Sequence, residues 1–188
     1  ADKKCGVTSP ERPTGLVEGN RYSPSVAAAV IDYKWNHYLP IYRQQDLFAA
    51  CGWTPRRSTL LNLVNAVEFV VDPLVALMTR QVQQDVGVGI DDTSCRMLLP
   101  IVDPPIDPAD RKSVRLAEKI REARAEGEKS LIAKMWAYSG LHRGPYNIFD
   151  FRVSRHRDGP DDFFRTSQNC KVQGDCFSGN KSVIMRSG

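Results

Sequence analysis

Metal-knuckle spacing is missing from this sequence. Its five cysteines, Cys5, Cys51, Cys95, Cys170 and Cys176, fall at irregular intervals and form no Cys-x-x-Cys pair. Neither a zinc ribbon nor a disulfide framework is indicated, and reduced thiols are the expectation. Histidine is scarce: His37, His142 and His156 are scattered beside Arg, Tyr or Asn, which suits surface groups better than ligands or a general base. No uninterrupted apolar run reaches the about 18 residues of a bilayer span. The opening Ala-Asp-Lys-Lys is no signal peptide. The longest apolar piece, residues 60–78, is broken by Asn62, Asn65, Glu68, Asp72 and Pro73 and reads as a core helix.

What is present describes a soluble globular protein. Hydrophobic residues make up 41% and charged residues 26% of the 188, which excludes a disordered tail and allows a small helical domain followed by a sheet domain. The net charge of +4 leans mildly towards anionic partners.

Residues 1–21, rich in Pro, Gly and charge, read as an extended leader. Residues 22–84 read as helical. Ser23 and Pro24 suit a helix start, and Pro40 stops that helix. The next spans residues 41–50, with Leu47 and Phe48 as its buried side and Tyr42, Arg43, Gln44 and Gln45 as its polar side; Gly52 closes it. Residues 53–58 turn the corner, and Ser58 or Thr54 can cap the third helix. Helix, glycine turn, capped helix is the order of a helix-turn-helix, with Arg56, Arg57 and Ser58 at the end that could meet phosphates. An ordinary helical hairpin with a solvated basic turn has the same pattern. Pro73 is expected to kink the long apolar helix or to begin another.

After Gln84 the apolar period changes from helical to alternating. In the strand within residues 85–100, Asp91, Thr93 and Cys95 share one face while Ile90, Asp92 and Ser94 share the other, so the two adjacent acids cannot both enter one site. Residues 103–130 interrupt the sheet with a proline-rich connector and a charged, solvated helix. Residues 131–138 and 146–153 are two strands of a hairpin, trailed by the basic patch Arg152, Arg155, His156 and Arg157. A short helix opens at residues 158–162, anchored by Phe163 and Phe164. A last short strand, within residues 170–177, places Asp175 near its end. Residues 85–188 thus form a mixed α/β sheet unit.

The order of these elements is that of a ribonuclease-H-like catalytic core, and the residues point further. The segment Tyr38-Leu39-Pro40-Ile41-Tyr42-Arg43-Gln44-Gln45, then Phe48-Ala49 and Gly52, Pro55-Arg56-Arg57-Ser58-Thr59-Leu60, Asp91-Asp92-Thr93, Trp136-Ala137-Tyr138, and Gln173-Gly174-Asp175-Cys176-Phe177-Ser178-Gly179 together resemble the central region of insertion-sequence-66 family transposases. That resemblance implies DNA transposition in a bacterial cytoplasm. Asp91 and Asp175 would be the first two acids of an Asp-Asp-Glu triad and the ligands of Mg²⁺ or Mn²⁺. The third acid, a glutamate, has no counterpart in the sequence, nor has the family's amino-terminal zinc-binding region beyond a trace at Cys5-Gly6. The expectation is therefore a transposase fragment, inactive alone, whose partners are the transposon ends and target DNA. Accessory transposition proteins and a homo-oligomer are compatible with it.

The chemistry implied is in-line attack on a phosphodiester, assisted by two ions about 3.5 to 4 Å apart. Mg²⁺ favours carboxylate and phosphate oxygens, so acids on neighbouring strands suit it. Asp92 is expected to face away. Two rivals stand beside this reading: a non-catalytic DNA-binding module that uses the helices and the patch Arg152 to Arg157, and an unrelated ribonuclease-H-like nuclease whose third acid is Asp150.

Overall fold

The computed structural model describes residues 15–142, 146–155, 158–167 and 170–175. His156 and Arg157 of the basic patch, most of the leader and the residues after Asp175 lie outside that set. Two units are distinguished, residues 1–74 and residues 75–188.

In the first unit, α1 (Pro24–Trp35) starts at the predicted place, although Ser23 bonds Ser25 at 2.6 Å rather than capping the helix. The next helix, α2 (Ile41–Ala50), ends as Gly52 requires. Gly52, at φ +83°, lets its own N–H bond Ala49 O at 2.9 Å and the Trp53 N–H bond Phe48 O at 3.0 Å. The Trp53 and Phe48 rings then meet in a T-shaped contact with centroids 4.9 Å apart, which completes a helix stop with its usual hydrophobic contact. The core joins Ala27 and Val30 of α1 to Ile41 of α2 and to Leu60 and Leu63 of the third helix, α3 (Arg57–Gln83). Leu47, expected in that core, is exposed; the buried residues of α2 are Ile41 and Gln44. Its Nε2 donates to Val30 O at 3.3 Å and Leu39 O at 3.1 Å, while Gln45 Nε2 reaches Pro55 O at 2.8 Å. The two glutamines, read from sequence as polar surface, clamp the chain corners on either side of α2.

Helix α3 bears on two expectations. It runs through Pro73 as one helix, so no new helix begins there. It is a core helix only near its ends: Leu60, Leu63, Ala66 and Val82 are buried, whereas Phe69, Val70, Leu74, Val75 and Leu77 are exposed. By length and composition alone, α3 is apolar enough to cross a membrane.

In the second unit the strands β1 (Gly87–Leu98), β2 (Ser130–Gly140), β3 (Asn147–Arg152) and β4 (Lys171–Gly174) lie in the order β3-β2-β1-β4. The pairs β1–β2 and β2–β3 are antiparallel, and β1–β4 is parallel. This is the α/β arrangement expected, helices first and then a mixed sheet. Val88 and Ile90 of β1, Trp136 and Tyr138 of β2 and Ile148 of β3 form a core with Val82, Phe163 and Cys170. Phe163 closes α5 (Asp158–Phe163), and its ring stacks on Tyr138 with centroids 3.7 Å apart.

The charged helix α4 (Arg111–Ala125) begins where Asp110 accepts from Lys112 N and Ser113 N, at 3.0 and 3.2 Å. It is more than a solvated insertion. Ile120 and Ala123 are buried, Lys112 pairs with Asp150 at 2.8 Å, and Arg115 pairs with Asp158. The helix is therefore tied to β3 and α5 by charge, and it buries part of its own apolar side.

Candidate functional site

Pleating and strand order together decide which acids meet. The register sets Ile90 opposite Tyr138 and Asp92 opposite Trp136 on β2, and Trp136 opposite Asp150 on β3. Asp92, Trp136 and Asp150 thus share the face that carries Val88 and Ile90. Along β1 that face turns from apolar to charged at Asp92, whose side chain is only 2% exposed.

A buried carboxylate needs compensating charge. Asp92 has two such partners: Lys134 Nζ at 2.8 Å from Oδ2, and Arg155, whose Nε donates to Oδ1 at 2.7 Å. The same guanidinium extends a terminal nitrogen to Asp175 Oδ2 at 3.2 Å. Asp92 lies on the face opposite Asp91, yet it is buried, and it is the member of the Asp91-Asp92 pair that Arg155 links to Asp175. Asp91 is exposed, and its Oδ1 accepts from Asp92 N at 2.8 Å.

Asp175 follows Gly174, the parallel partner of Ile90. Its backbone therefore comes one step beyond that pair, at the level where Asp91 follows Ile90. Asp91 lies within β1 and Asp175 just beyond the end of β4, and both have exposed side chains. Exposed carboxylate oxygens are the hard donors that Mg²⁺ or Mn²⁺ prefers. The set is sparse, however. Among the described residues no group of three or more His, Cys, Asp or Glu side chains could hold a metal ion.

Asp150 lies on the Asp92 face, and two cations hold it, Lys112 Nζ at 2.8 Å and Arg152 Nε at 2.6 Å. Arg152 also donates to Asp162 Oδ2 at 3.0 Å, and Arg165 takes the other oxygen of Asp162. Burial opposes the Arg152 charge, but the bonds and charges of Asp150 and Asp162 outweigh it and raise its pKa. A guanidinium so committed is an internal strut, not a hand extended to phosphate. By contrast Arg43, Arg56, Arg57 and Ser58 are all exposed. The last three cluster where the turn enters α3.

Sequence reasoning missed Lys134, Lys112 and Asp162. The signal for Lys134 was visible: a lysine inside an apolar strand, two residues before Trp136 on the same face.

Residues 19–103 match the family described as Transposase IS66 family. The matched segment runs from the approach to α1 through β1 and contains Asp91 and Asp92. No curated protein and no solved structure matches the chain.

Proposed function

Since residues 19–103 belong to the transposase IS66 family, we propose that the chain acts in DNA transposition, by metal-dependent phosphodiester cleavage and strand transfer on a ribonuclease-H-like sheet. The observation that carries this reading is the parallel pairing of β1 with β4, whose last pair, Ile90 with Gly174, immediately precedes Asp91 on one strand and Asp175 on the other. A three-stranded antiparallel run with a parallel strand added beside β1 supports the ribonuclease-H-like assignment.

In this reading Asp91 and Asp175 hold Mg²⁺ or Mn²⁺, which would polarise the scissile phosphate and activate the attacking oxygen. The protein's part would be to supply the two carboxylates and to bring the DNA backbone to them. Arg56, Arg57 and Ser58, with Arg43, would contact phosphates of the transposon end. Arg152 and Arg155 serve the acids instead. The chain would work in the cytoplasm, with accessory proteins or a second copy as further partners.

The test is Mn²⁺ binding, measured by electron paramagnetic resonance with and without duplex DNA carrying the element's ends. DNA phosphates should complete the ion's oxygen shell and tighten binding. Asp91→Asn and Asp175→Asn should each abolish that gain. Affinity unchanged by both substitutions overturns the assignment of these acids.

A second reading, a DNA-binding module without catalysis, draws on one observation: the buried acids already carry cationic partners. It predicts DNA affinity that falls steeply with salt and is indifferent to metal and to Asp91→Asn.

A further inference from the structure

Along α3 every residue from 68 to 77 is exposed. Phe69, Val70, Val71, Leu74, Val75 and Leu77 are the large apolar side chains of that stretch. Single surface hydrophobes need no explanation, but a contiguous run of them marks a contact surface, and a helix apolar all round belongs inside something. We propose that this stretch of α3 is the interface of a homodimer, in which two copies of the helix pack antiparallel about Leu74.

Charge complementarity selects both the occupant and its direction. The charged residues between positions 68 and 80 are Glu68, Asp72 and Arg80. In an antiparallel pair centred on Leu74, Val71 comes level with Leu77 of the second copy, Val70 with Met78, and Glu68 with Arg80. Asp72 comes level with Ala76, so no like charges meet. A parallel pair in register would instead set each of the three charges against its own kind. Val70, Val71 and Leu77 lie within about 60° of Leu74 around the helix, while Glu68 and Arg80 stand about 120° to either side. An apolar seam flanked by opposite charges is how paired helices fix their orientation. Within one copy Glu68 and Arg80 are about 18 Å apart along the helix, too far to pair with each other.

A bilayer is a poorer occupant. The ten exposed residues rise only about 15 Å, half of the about 30 Å hydrocarbon core. Ala66 and Val82, beyond the two ends, are already buried in protein. Helices that lie on membranes carry Lys and Arg along their polar face, whereas the charges within residues 68–77 are both acidic.

The interface is independent of the roles assigned to Asp91 and Asp175. Sedimentation equilibrium of the full chain at low salt, over a concentration series, measures it, with circular dichroism as the check that each variant is folded. The parent should form a dimer and stop there, because a twofold contact closes on itself. Leu74→Asp should abolish association: Leu74 is 56% exposed, so its loss spares the core, and the new acids meet on the twofold axis. Glu68→Arg and Arg80→Glu should each weaken the dimer about tenfold, since two rim ion pairs become repulsive. The double variant exchanges the two charges and should return to within about threefold of the parent, as coupled sites do. A double variant no tighter than the singles overturns the proposal. So does a parent that stays monomeric at every concentration, whether or not it binds vesicles of phosphatidylcholine and phosphatidylglycerol.

Discussion

Tyr138 stacks on Phe163 with ring centroids 3.7 Å apart and planes within 6° of parallel. The pair links the middle of the sheet to the end of α5, and the Tyr138 hydroxyl is buried with no hydrogen-bond partner among the described residues. Burial, the carboxylate of Asp150 and that of Asp162 push the phenol far above its ordinary pKa, with Arg152 opposing. The two sides of this stack should respond in opposite ways to truncation. Phe163→Ala should cost about 3–5 kcal/mol through the cavity it leaves. Tyr138→Phe should be neutral or stabilising by up to about 1–2 kcal/mol, since it removes an unsatisfied buried group. Urea denaturation of both variants checks the pair.

Gln44 offers a test in the first unit. Its amide supplies donors to Val30 O and Leu39 O from a fully buried position. Gln44→Ala should lose about 1–3 kcal/mol, because the carbonyls lose their donor and the core gains a void. The exposed neighbour Asp46→Ala should stay within about 0.5 kcal/mol of the parent. Thermal unfolding followed at the α-helical band reads both.

Acid sensitivity should trace in part to Asp162. Burial raises the cost of its charge, but the bond and charge of Arg152, helped by Arg165, prevail and hold its carboxyl below the ordinary 3.8. A depressed folded-state value means that the folded chain binds this proton less readily than the unfolded chain does. The stabilisation is therefore complete above 3.8 and disappears as pH falls through the lower folded value. Asp162→Asn should lose stability less steeply than the parent as pH drops below about 4. Urea midpoints across that window measure the difference.

The cysteines should separate by reactivity. Burial pushes the Cys170 thiol upward, the Asp85 carboxylate adds to it, and a backbone bond from Val88 opposes. Cys51 is exposed. A thiol reagent at neutral pH should label Cys51 at least about tenfold faster than Cys170, since Cys170 is buried and its thiol is held protonated by that burial. Peptide mapping by mass spectrometry assigns the sites.

The basic turn bears directly on the proposed function. Arg56→Ala and Arg57→Ala should each weaken binding to end-bearing duplex DNA and reduce the slope of log affinity against log salt by about 0.9 for each phosphate no longer neutralised. Arg152→Ala should instead lower folding stability, since it strips the cation shared by Asp150 and Asp162. Fluorescence anisotropy over a salt series, paired with unfolding curves, separates the two effects.

Much of the fold was legible in order along the chain. The helix stop at Gly52, the change of period after Gln84, the strands around Trp136 and Phe151, and the start of α5 are all local effects of backbone and pattern. Alternation alone also divided β1 correctly, with Ile90, Asp92 and Ser94 on one face and Asp91 and Thr93 on the other. Local pattern could not say which face would be covered. That depended on Trp136 and Asp150 lying across from Asp92, and on Phe163 arriving from far along the chain.

The same limit explains the site. Sequence by itself determined that acids stand at residues 91, 92, 150 and 175 and that arginines gather around residues 152–157. Only tertiary structure decided that Arg155 bridges Asp92 to Asp175, and that Arg152 is consumed by Asp150 and Asp162. Pleating is a property of neighbouring residues, whereas neutralising a buried charge depends on which distant cation the strand order brings within about 3 Å.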